Sequence, residues 1–185
     1  MKIGIISDTH GDAKAWEKAY NNYFHDADRI LHAGDFLYHG PRNPMADGYG
    51  PAKLAQMINE CEVPIVAAFG NCDSFVDTSV LDIPLADPYA FIEIDGRRIV
   101  VTHGHICESD AEKYALAKKL KADIFVSGHT HIGGIEKRGD TIFINPGSPS
   151  LSKRQDSRQT VALMENGEIK VMDLFTGETL DTMKY

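Results

Sequence analysis

The order of apolar and polar residues predicts a chain in which strands and helices alternate. Short apolar runs rich in β-branched residues, as buried strands are, lie at residues 2–7, 29–33, 64–69, 90–94, 97–102 and 123–127. Asp95-Gly96, between two of these runs, is a dipeptide typical of a β-hairpin turn. The remainder of the chain is mostly β, with strands predicted at 134–138, 141–144, 159–165, 168–175 and 178–183.

Three segments have the spacing of helices. Residues 13–26 follow a potential cap at Asp12, and their apolar face is formed by Trp16, Ala19, Tyr20, Tyr23 and Phe24. A second helix is predicted from Pro51 to about residue 60, after a long polar loop at 37–50. The third, at about 110–121, begins after Ser109, with Glu112 completing a capping box. No repeat or linker divides the chain, so we predict one α/β domain over residues 1–185.

Five predicted strands end in a short polar motif. The motifs are Asp8-Thr9-His10, Gly34-Asp35, Gly70-Asn71, Thr102-His103 and Gly128-His129-Thr130-His131. In an open α/β sheet, ligands bind outside the carboxyl ends of the strands. A lone histidine, aspartate or glycine at a strand end is more often structural, but compatible residue types recur here at five strand ends. The functional site is therefore expected at this edge.

The side chains in these motifs favour a metal site. The potential ligands are Asp8, His10, Asp35, Asn71, His103, His129 and His131. Asp8 and His10 are spaced i, i+2, as are the two histidines after strand 123–127, and in an extended segment such residues point to one side. Carboxylate, amide and imidazole ligands together suit Mn²⁺, Fe²⁺ or Zn²⁺ better than Ca²⁺ or Mg²⁺ alone. Seven ligands suit two ions about 3.5–4 Å apart that share a carboxylate.

Charge favours a small anionic substrate. The formal net charge is −8, which disfavours binding of long nucleic acids. Two divalent ions would outweigh the two carboxylates that hold them, so the cluster would attract a phosphate ester in spite of the acidic surface. A hydroxide that bridges the metals could then attack phosphorus in line.

The apolar runs and the cysteines indicate the cellular compartment of the protein. No apolar run approaches the length of a membrane helix, and the N-terminal apolar stretch is too short for a signal peptide. Cys61, Cys72 and Cys107 are too few and too irregularly spaced for a disulfide framework or a zinc finger. We therefore expect a cytoplasmic protein without a membrane partner. The oligomeric state is left open, with a homo-oligomer as one alternative.

In order along the chain, the five motifs, with His103-Gly104-His105, resemble the motif set of the calcineurin-like metallophosphoesterases. Three further segments are similar to the bacterial YfcE-type phosphodiesterases of that superfamily: His39-Gly40-Pro41-Arg42-Asn43, Gly70-Asn71-Cys72-Asp73-Ser74 and Asn145-Pro146-Gly147-Ser148. The resemblance implies a four-layer α/β/β/α sandwich of two mixed sheets flanked by helices, with the metal site at the carboxyl ends of the strands. It also implies hydrolysis of phosphodiesters and a preference for Mn²⁺, with Fe²⁺, Zn²⁺ or Ni²⁺ as alternatives.

The resemblance also implies roles for individual residues. One ion would be held by Asp8, His10, Asp35 and His131, and the other by Asp35, Asn71, His103 and His129. Catalytic roles are expected for Asp35, Asn71 and His105, and substrate contacts for Arg42, Cys72 and Asp73. His25, His32 and His39 are expected to be surface or loop residues that bind no metal.

Cys72 departs from the wider superfamily, in which many members carry a histidine directly after the metal-binding asparagine. A thiol donates a proton to an alkoxide less readily than imidazolium does at neutral pH. The hypothesis is that leaving-group protonation is weak, or comes from His105 or a metal-bound water, so that good leaving groups are preferred. The simpler interpretations remain open: Cys72 fills space, His105 supports the metal ligands, and Arg42 is a solvated loop charge.

Three other functions are alternatives to the phosphodiesterase. A phosphomonoesterase would use the same metals, although the single arginine in the long loop favours a diester monoanion. A protein-binding scaffold resembling the retromer subunit Vps29 is disfavoured because all seven ligand positions are intact. A nuclease is disfavoured because the chain is acidic and shows no basic groove signal.

Overall fold

The computed structural model describes residues 1–185 and contains two β-sheets. The seven-stranded sheet has the spatial order β12 (Thr179–Lys184), β11 (Glu168–Asp173), β10 (Thr160–Glu165), β1 (Lys2–Ile6), β2 (Arg29–His32), β3 (Ile65–Ala68) and β4 (Leu85–Ala86). The five-stranded sheet has the order β5 (Tyr89–Ile94), β6 (Arg97–Thr102), β7 (Ile124–Ser127), β9 (Thr141–Asn145) and β8 (Gly134–Arg138).

Both sheets are mixed. Strands β1 to β4 are parallel to their neighbours, and β10, β11 and β12 continue that sheet in antiparallel pairs. In the second sheet β6, β7 and β9 are parallel, while β5 and β8 are antiparallel edge strands. Parallel pairing brings the carboxyl ends of β1, β2 and β3 to one edge of their sheet, and those of β6 and β7 to one edge of the other. The predicted site residues follow these five strands.

The helices lie on the outer faces of the sheets. Helix α1 (Ala13–Ala19) continues as a π-helical segment, Tyr20–Phe24, and packs against α2 (Pro51–Asn59). Helix α3 (Asp110–Lys119) lies on the five-stranded sheet. A 3-10 helix, Phe75–Ser79, precedes β4. No helix is long and apolar enough to cross a membrane.

Three buried clusters separate four layers, which confirms the predicted sandwich. Alternation along β1 divides its side chains: Ile5 faces the core between the sheets, and Ile6 faces the core beneath α1 and α2. In the second sheet Val101 faces the inner core, and Val100 packs with Ala117 of α3. The strands of both sheets are therefore buried on two faces, which explains their nearly continuous apolar sequences.

Several local predictions need correction. The predicted helix over 13–26 is wrong as one regular helix, because the α-helix ends at Ala19. The wider π turn places the Phe24 ring against Gly4 of β1, where any Cβ would overlap it. Strand β4 and the 3-10 helix were not predicted. Asp12 caps α1 as predicted, but only half of the second capping box forms: Ser109 accepts from Glu112 N, while the Glu112 carboxylate accepts from Glu108 N.

Candidate metal centre

Most of the predicted ligands have an unusual backbone conformation. Positive φ angles occur at Asp8 (56°), His10 (45°), Asp35 (60°), His129 (69°) and His131 (59°). The two i, i+2 pairs are therefore not extended, as the spacing argument assumed. Left-handed residues other than glycine cost about 1 kcal/mol or more each, and such strain concentrates at functional sites. The backbone thus leaves the extended conformation just beyond these strands.

Asp8 is held in its turn by the segment Asn145-Pro146-Gly147-Ser148 and the residues after it. The hydroxyls of Ser148 and Ser150 donate to Asp8 O at 2.8 and 3.0 Å. His129 N donates to Asp8 Oδ2 at 3.0 Å, so this carboxylate also connects the two sheets. Asp8 Oδ1 is buried and has no hydrogen-bond partner in the protein.

Three of the histidines are oriented in the same way. The Nδ1 atoms of His10, His103 and His131 lie 2.8, 2.7 and 2.5 Å from the backbone oxygens of Tyr38, Ala33 and Leu151, respectively. Carbonyl oxygens only accept hydrogen bonds, so each ring carries its proton on Nδ1. In the neutral form of such a ring the Nε2 lone pair is left for another partner, which is the arrangement that metal-binding histidines adopt.

These Nε2 atoms surround the two carboxylates. His131 Nε2 lies 3.2 Å from Asp8 Oδ1, and His103 Nε2 lies 3.2 Å from Asp35 Oδ2. His10 Nε2 is 3.6 Å from the same Asp35 oxygen. His103 Nε2, like Asp8 Oδ1, is buried without a hydrogen bond. Buried polar atoms are normally paired, so these orphaned atoms fit a bound cation.

The electrostatics also suit a cation. Burial alone would raise the pKa of both carboxyls, but neighbouring histidines, chiefly His131 for Asp8 and His103 for Asp35, lower them below the usual range. Burial lowers the pKa of His10, which favours the neutral ring that can bind a metal. Burial also opposes protonation of His103, but the Asp35 and Asp8 carboxylates raise the pKa of this ring to about 9. A divalent ion would supply the positive charge that these carboxylates attract.

Asn71 and His129 complete the group on the open side. A groove of about 440 Å³ is lined by both residues together with His10, Asp35 and His131. Asn71 Nδ2 donates to Cys72 Sγ at 3.4 Å, which leaves Asn71 Oδ1 for another partner. The His129 ring lies 5.1 Å from the His103 ring, measured between centroids. The structure thus brings all seven predicted ligands to one edge of the sandwich.

The predicted substrate-binding residues have different surroundings. Arg42 and Cys72 line the groove, but Asp73 does not. The Asp73 carboxylate is buried and accepts backbone hydrogen bonds from Asp35, Phe36 and Gly70 at 2.9, 2.6 and 2.8 Å. It therefore joins the turns that follow β2 and β3. Burial raises the pKa of Asp73 to about 6 in spite of these three donors.

His105, expected to be catalytic, lies beside His103 and His129, with ring centroids 5.5 and 6.3 Å away. It is not among the residues that line the groove, and its Nδ1 is buried without a partner. This position behind two potential ligands suits a supporting role better than direct proton transfer to a substrate.

Two polar residues at the site were missed or misplaced by the sequence analysis. Lys153 lines the groove, and its only signal was its position five residues after Ser148. His32 was expected at the surface or in a loop, but it is fully buried at the end of β2. Its Nδ1 accepts from Gly34 N at 3.1 Å, and its Nε2 lies 3.2 Å from Thr9 Oγ1. Burial lowers the pKa of His32 to about 3, so the ring is neutral.

Comparison with known proteins agrees with this geometry. Residues 1–168 match the model of the calcineurin-like phosphoesterase superfamily domain. The chain belongs to the calcineurin-like phosphoesterase superfamily. It is 34% identical to phosphodiesterase YfcE of Escherichia coli strain K12 over 175 residues, which cover 94% of this chain and 92% of that protein. A probable metallophosphoesterase of Methanothermobacter thermautotrophicus is 29% identical over 181 residues, 96% of this chain and 94% of that protein.

Solved structures share the fold. The structure of the E. coli phosphoesterase YfcE has a TM-score of 0.86 and 30% identity, and the match covers 100% of this chain and 99% of that one. A Vps29 structure from Entamoeba histolytica, at 16% identity, has a TM-score of 0.72 over 100% of this chain and 99% of that one, and shows the fold alone. The chain is therefore an enzyme, a metal-dependent phosphoesterase of the YfcE type, as the motifs predicted.

Proposed function

We propose that the enzyme is a phosphodiesterase that acts on a small phosphodiester and uses two divalent ions, with Mn²⁺ preferred. The observation that carries the proposal is the pair of buried, unpartnered atoms, Asp8 Oδ1 and His103 Nε2, in a cluster with Asp35 whose ligand atoms lie within 4.8 Å of one another. One ion would be held by Asp8, His10, Asp35 and His131, and the other by Asp35, Asn71, His103 and His129. When bound, two such ions would acidify a water and stabilise charge on phosphoryl oxygens.

Asp35 is well placed to serve both ligand sets. Its Oδ2 faces His10 and His103 at 3.6 and 3.2 Å, and its Oδ1 accepts from Cys72 N at 2.8 Å. The backbone of Asp35 is fixed by Asp73. The carboxylate thus enters the reaction already oriented, which reduces the reorganisation that catalysis would otherwise require.

The groove offers a place for the substrate next to the proposed ligands. Its lining also includes Gly40, Pro41, Arg42 and Asn43. Arg42 is placed to bind a non-reacting oxygen of the substrate, because a guanidinium can donate two parallel hydrogen bonds to a phosphate. Similarity to a protein named phosphodiesterase YfcE supports a diester as the substrate.

A phosphomonoesterase is the second candidate, and Lys153 is the observation that favours it. This residue gives the groove a second cation besides Arg42, and a monoester dianion needs more positive charge than a diester does. A scaffold without activity is less well supported, because the Vps29 structures share the fold at only 16–18% identity and all seven ligand positions are intact here.

The deciding experiment compares bis-p-nitrophenyl phosphate with p-nitrophenyl phosphate as substrates of metal-stripped protein, with and without added Mn²⁺. We expect Mn²⁺-dependent cleavage of the diester, and its loss in Asp35→Asn. Asp95→Asn is the matched control, since Asp95 has a φ of 51° in a hairpin turn and asparagine tolerates that conformation. Faster monoester turnover would make the enzyme a phosphatase. Metal binding without turnover of either substrate would favour the scaffold.

A further inference from the structure

The groove carries more positive charge than a simple diester needs. Apart from the proposed ligands, its lining consists of Gly40, Pro41, Arg42, Asn43, Cys72 and Lys153. Two of these six residues are cations and none is a carboxylate. The whole chain, by contrast, has 27 acidic and 19 basic residues. Positive charge is therefore concentrated in a cavity that the proposed ligands line.

The backbone near Arg42 and near Lys153 is held by hydrogen bonds. Lys153 N donates to His131 O at 3.2 Å, two residues after the carbonyl that orients the His131 ring. On the other wall, Asn43 Nδ2 donates to His39 O at 2.9 Å, which closes the short turn that contains Arg42. The backbone near both cations is thus fixed, and both residues line the cavity.

Neither cation is neutralised within the chain. Arg42 and Lys153 form no ion pair and no side-chain hydrogen bond, whereas the adjacent Arg154 is paired with Asp156 at 3.0 Å. A diester carries one negative charge, and the proposed metal ions would already offset it. Two further unpaired cations beside the reacting phosphate therefore indicate a substrate with a second anionic group.

The groove also lacks an obvious proton donor for a poor leaving group. None of the six residues outside the proposed ligand set is a histidine, aspartate or glutamate. Departure of an alkoxide benefits strongly from a general acid. When the leaving group is itself a phosphate monoester, it departs as a stable anion without a proton. Its departure is helped more by nearby cations such as arginine and lysine than by a general acid.

We propose that the physiological substrate is a P1,P2-diester of diphosphate, and that Arg42 and Lys153 bind the phosphate that leaves. This inference rests on the proposed phosphodiesterase function and names its substrate class. Water oxygen bonds to one phosphorus and the P–O bond of the bridging oxygen breaks, so the bridging oxygen keeps the electron pair and leaves on the second phosphate. The products are two phosphomonoester dianions, and two protons pass to solvent. A groove of about 440 Å³ accommodates the diphosphate and part of its substituents.

The test compares P1,P2-di(adenosine-5′) diphosphate with adenylyl-(3′→5′)-adenosine, which has the same nucleosides but a single phosphate, in the presence of Mn²⁺. We expect kcat/KM to be higher for the diphosphate by about tenfold or more, with adenosine 5′-monophosphate as product. In Arg42→Ala/Lys153→Ala this ratio should fall by about tenfold. Lys119→Ala, an exposed helix position, is the matched control and should keep the wild-type ratio.

A binding measurement separates recognition from turnover. The probe is the non-hydrolysable di(adenosine-5′) methylenediphosphonate, titrated calorimetrically into Mn²⁺-loaded protein. We expect the double variant to bind it about tenfold more weakly than wild type and the Lys119→Ala control do. An unchanged affinity, equal turnover of the two dinucleotides, or faster hydrolysis of adenosine 5′-monophosphate itself would overturn the inference. Failure of the parent proposal looks different: wild type would then cleave neither dinucleotide nor bis-p-nitrophenyl phosphate.

Discussion

His10 Nε2 and His131 Nε2 lie 3.2 Å apart at the centre of the proposed metal site. Each ring donates its Nδ1 proton to a backbone oxygen, of Tyr38 for His10 and of Leu151 for His131. In the neutral form of both rings two lone pairs would therefore face each other, next to Asp8 Oδ1 at 3.7 and 3.2 Å from the two rings. Such a contact is unfavourable in the free protein and becomes favourable when a cation is shared among these atoms.

We therefore expect Mn²⁺ to stabilise the folded protein. At a free metal concentration about 100 times the dissociation constant, the free energy of unfolding should increase by roughly 3 kcal/mol. His131→Ala should lose most of this gain, and His25→Ala, at an exposed position, should keep it. Chemical denaturation of metal-stripped protein, with and without Mn²⁺, measures the difference. An equal gain in both variants would place the metal elsewhere.

Gly70 controls how closely β3 approaches Asp35. A Cβ at Gly70 would overlap Asp35 Oδ1 and the Asp35 backbone nitrogen, so even alanine must displace the proposed bridging carboxylate. We expect Gly70→Ala to lower the free energy of unfolding by about 2 kcal/mol, as overpacking of a filled site does. Because the carboxylate moves, Mn²⁺ affinity should fall by about tenfold as well.

Gly134→Ala is the matched control for this substitution. Its Cβ would have only Asp181 Oδ2 nearby, at 3.9 Å, so neither stability nor metal affinity should change appreciably. Isothermal titration with Mn²⁺ and denaturant unfolding of both variants measure the two quantities. Wild-type metal affinity in Gly70→Ala would show that Asp35 is not required at its observed position.

The proposed ligands could be found from the sequence because they follow apolar strands that pairing places side by side. Asp8 and Asp35 come to the same edge because β1 and β2 are parallel neighbours. The motifs directly after these strands therefore indicate which side chains meet. The left-handed turns that aim these residues could not be predicted. They depend on contacts with residues far along the chain, such as the Ser148 hydroxyl on Asp8 O.

The roles of Asp73, Lys153 and His32 could not be predicted either, because they too depend on contacts between distant parts of the chain. Asp73 lies within a motif and was expected to contact substrate, but the three amides that it accepts from lie on two different turns. Lys153 lines the groove, and its backbone nitrogen is bonded to His131 O, which lies 22 residues earlier in the chain. The burial of His32 follows from packing against Phe36, with ring centroids 3.5 Å apart, and composition gives no indication of this contact.

His32 should make stability depend on pH. Its pKa is about 3 in the folded protein, chiefly because of burial, against 6.5 in the unfolded chain. Above pH 6.5 the ring is neutral in both states and imposes no penalty. As the pH falls from 6.5 towards 3, the unfolded chain takes up a proton that the folded protein does not, so stability decreases. The decrease should be about 2 kcal/mol between pH 7 and pH 5.

His32→Asn tests this dependence, since asparagine can accept from Gly34 N as His32 Nδ1 does but does not titrate. Unfolding of metal-stripped protein should be measured from pH 7 to pH 5 for wild type, this variant and the exposed His25→Asn control. The variant should be less stable at pH 7 but should lose less stability on acidification. A parallel pH dependence in all three proteins would mean that His32 is protonated in the folded state.

Cys72 should make the enzyme sensitive to the leaving group. Burial, aided by the Asp35 carboxylate, raises the pKa of this thiol to about 12, so it is a weak proton donor beside Asn71. A phenolate leaves without help, whereas an alkoxide needs a proton, so an alkyl diester should react at least about 100-fold more slowly than an aryl one. The rates of methyl aryl phosphates with phenols of different pKa, and of an alkyl diester, measure this sensitivity.

Cys72→His tests the role of this position. It would supply an imidazole and should reduce the rate difference between aryl and alkyl diesters, while Cys72→Ser should leave that difference unchanged. Equal rates for aryl and alkyl diesters in the wild type would show that another group protonates the leaving oxygen.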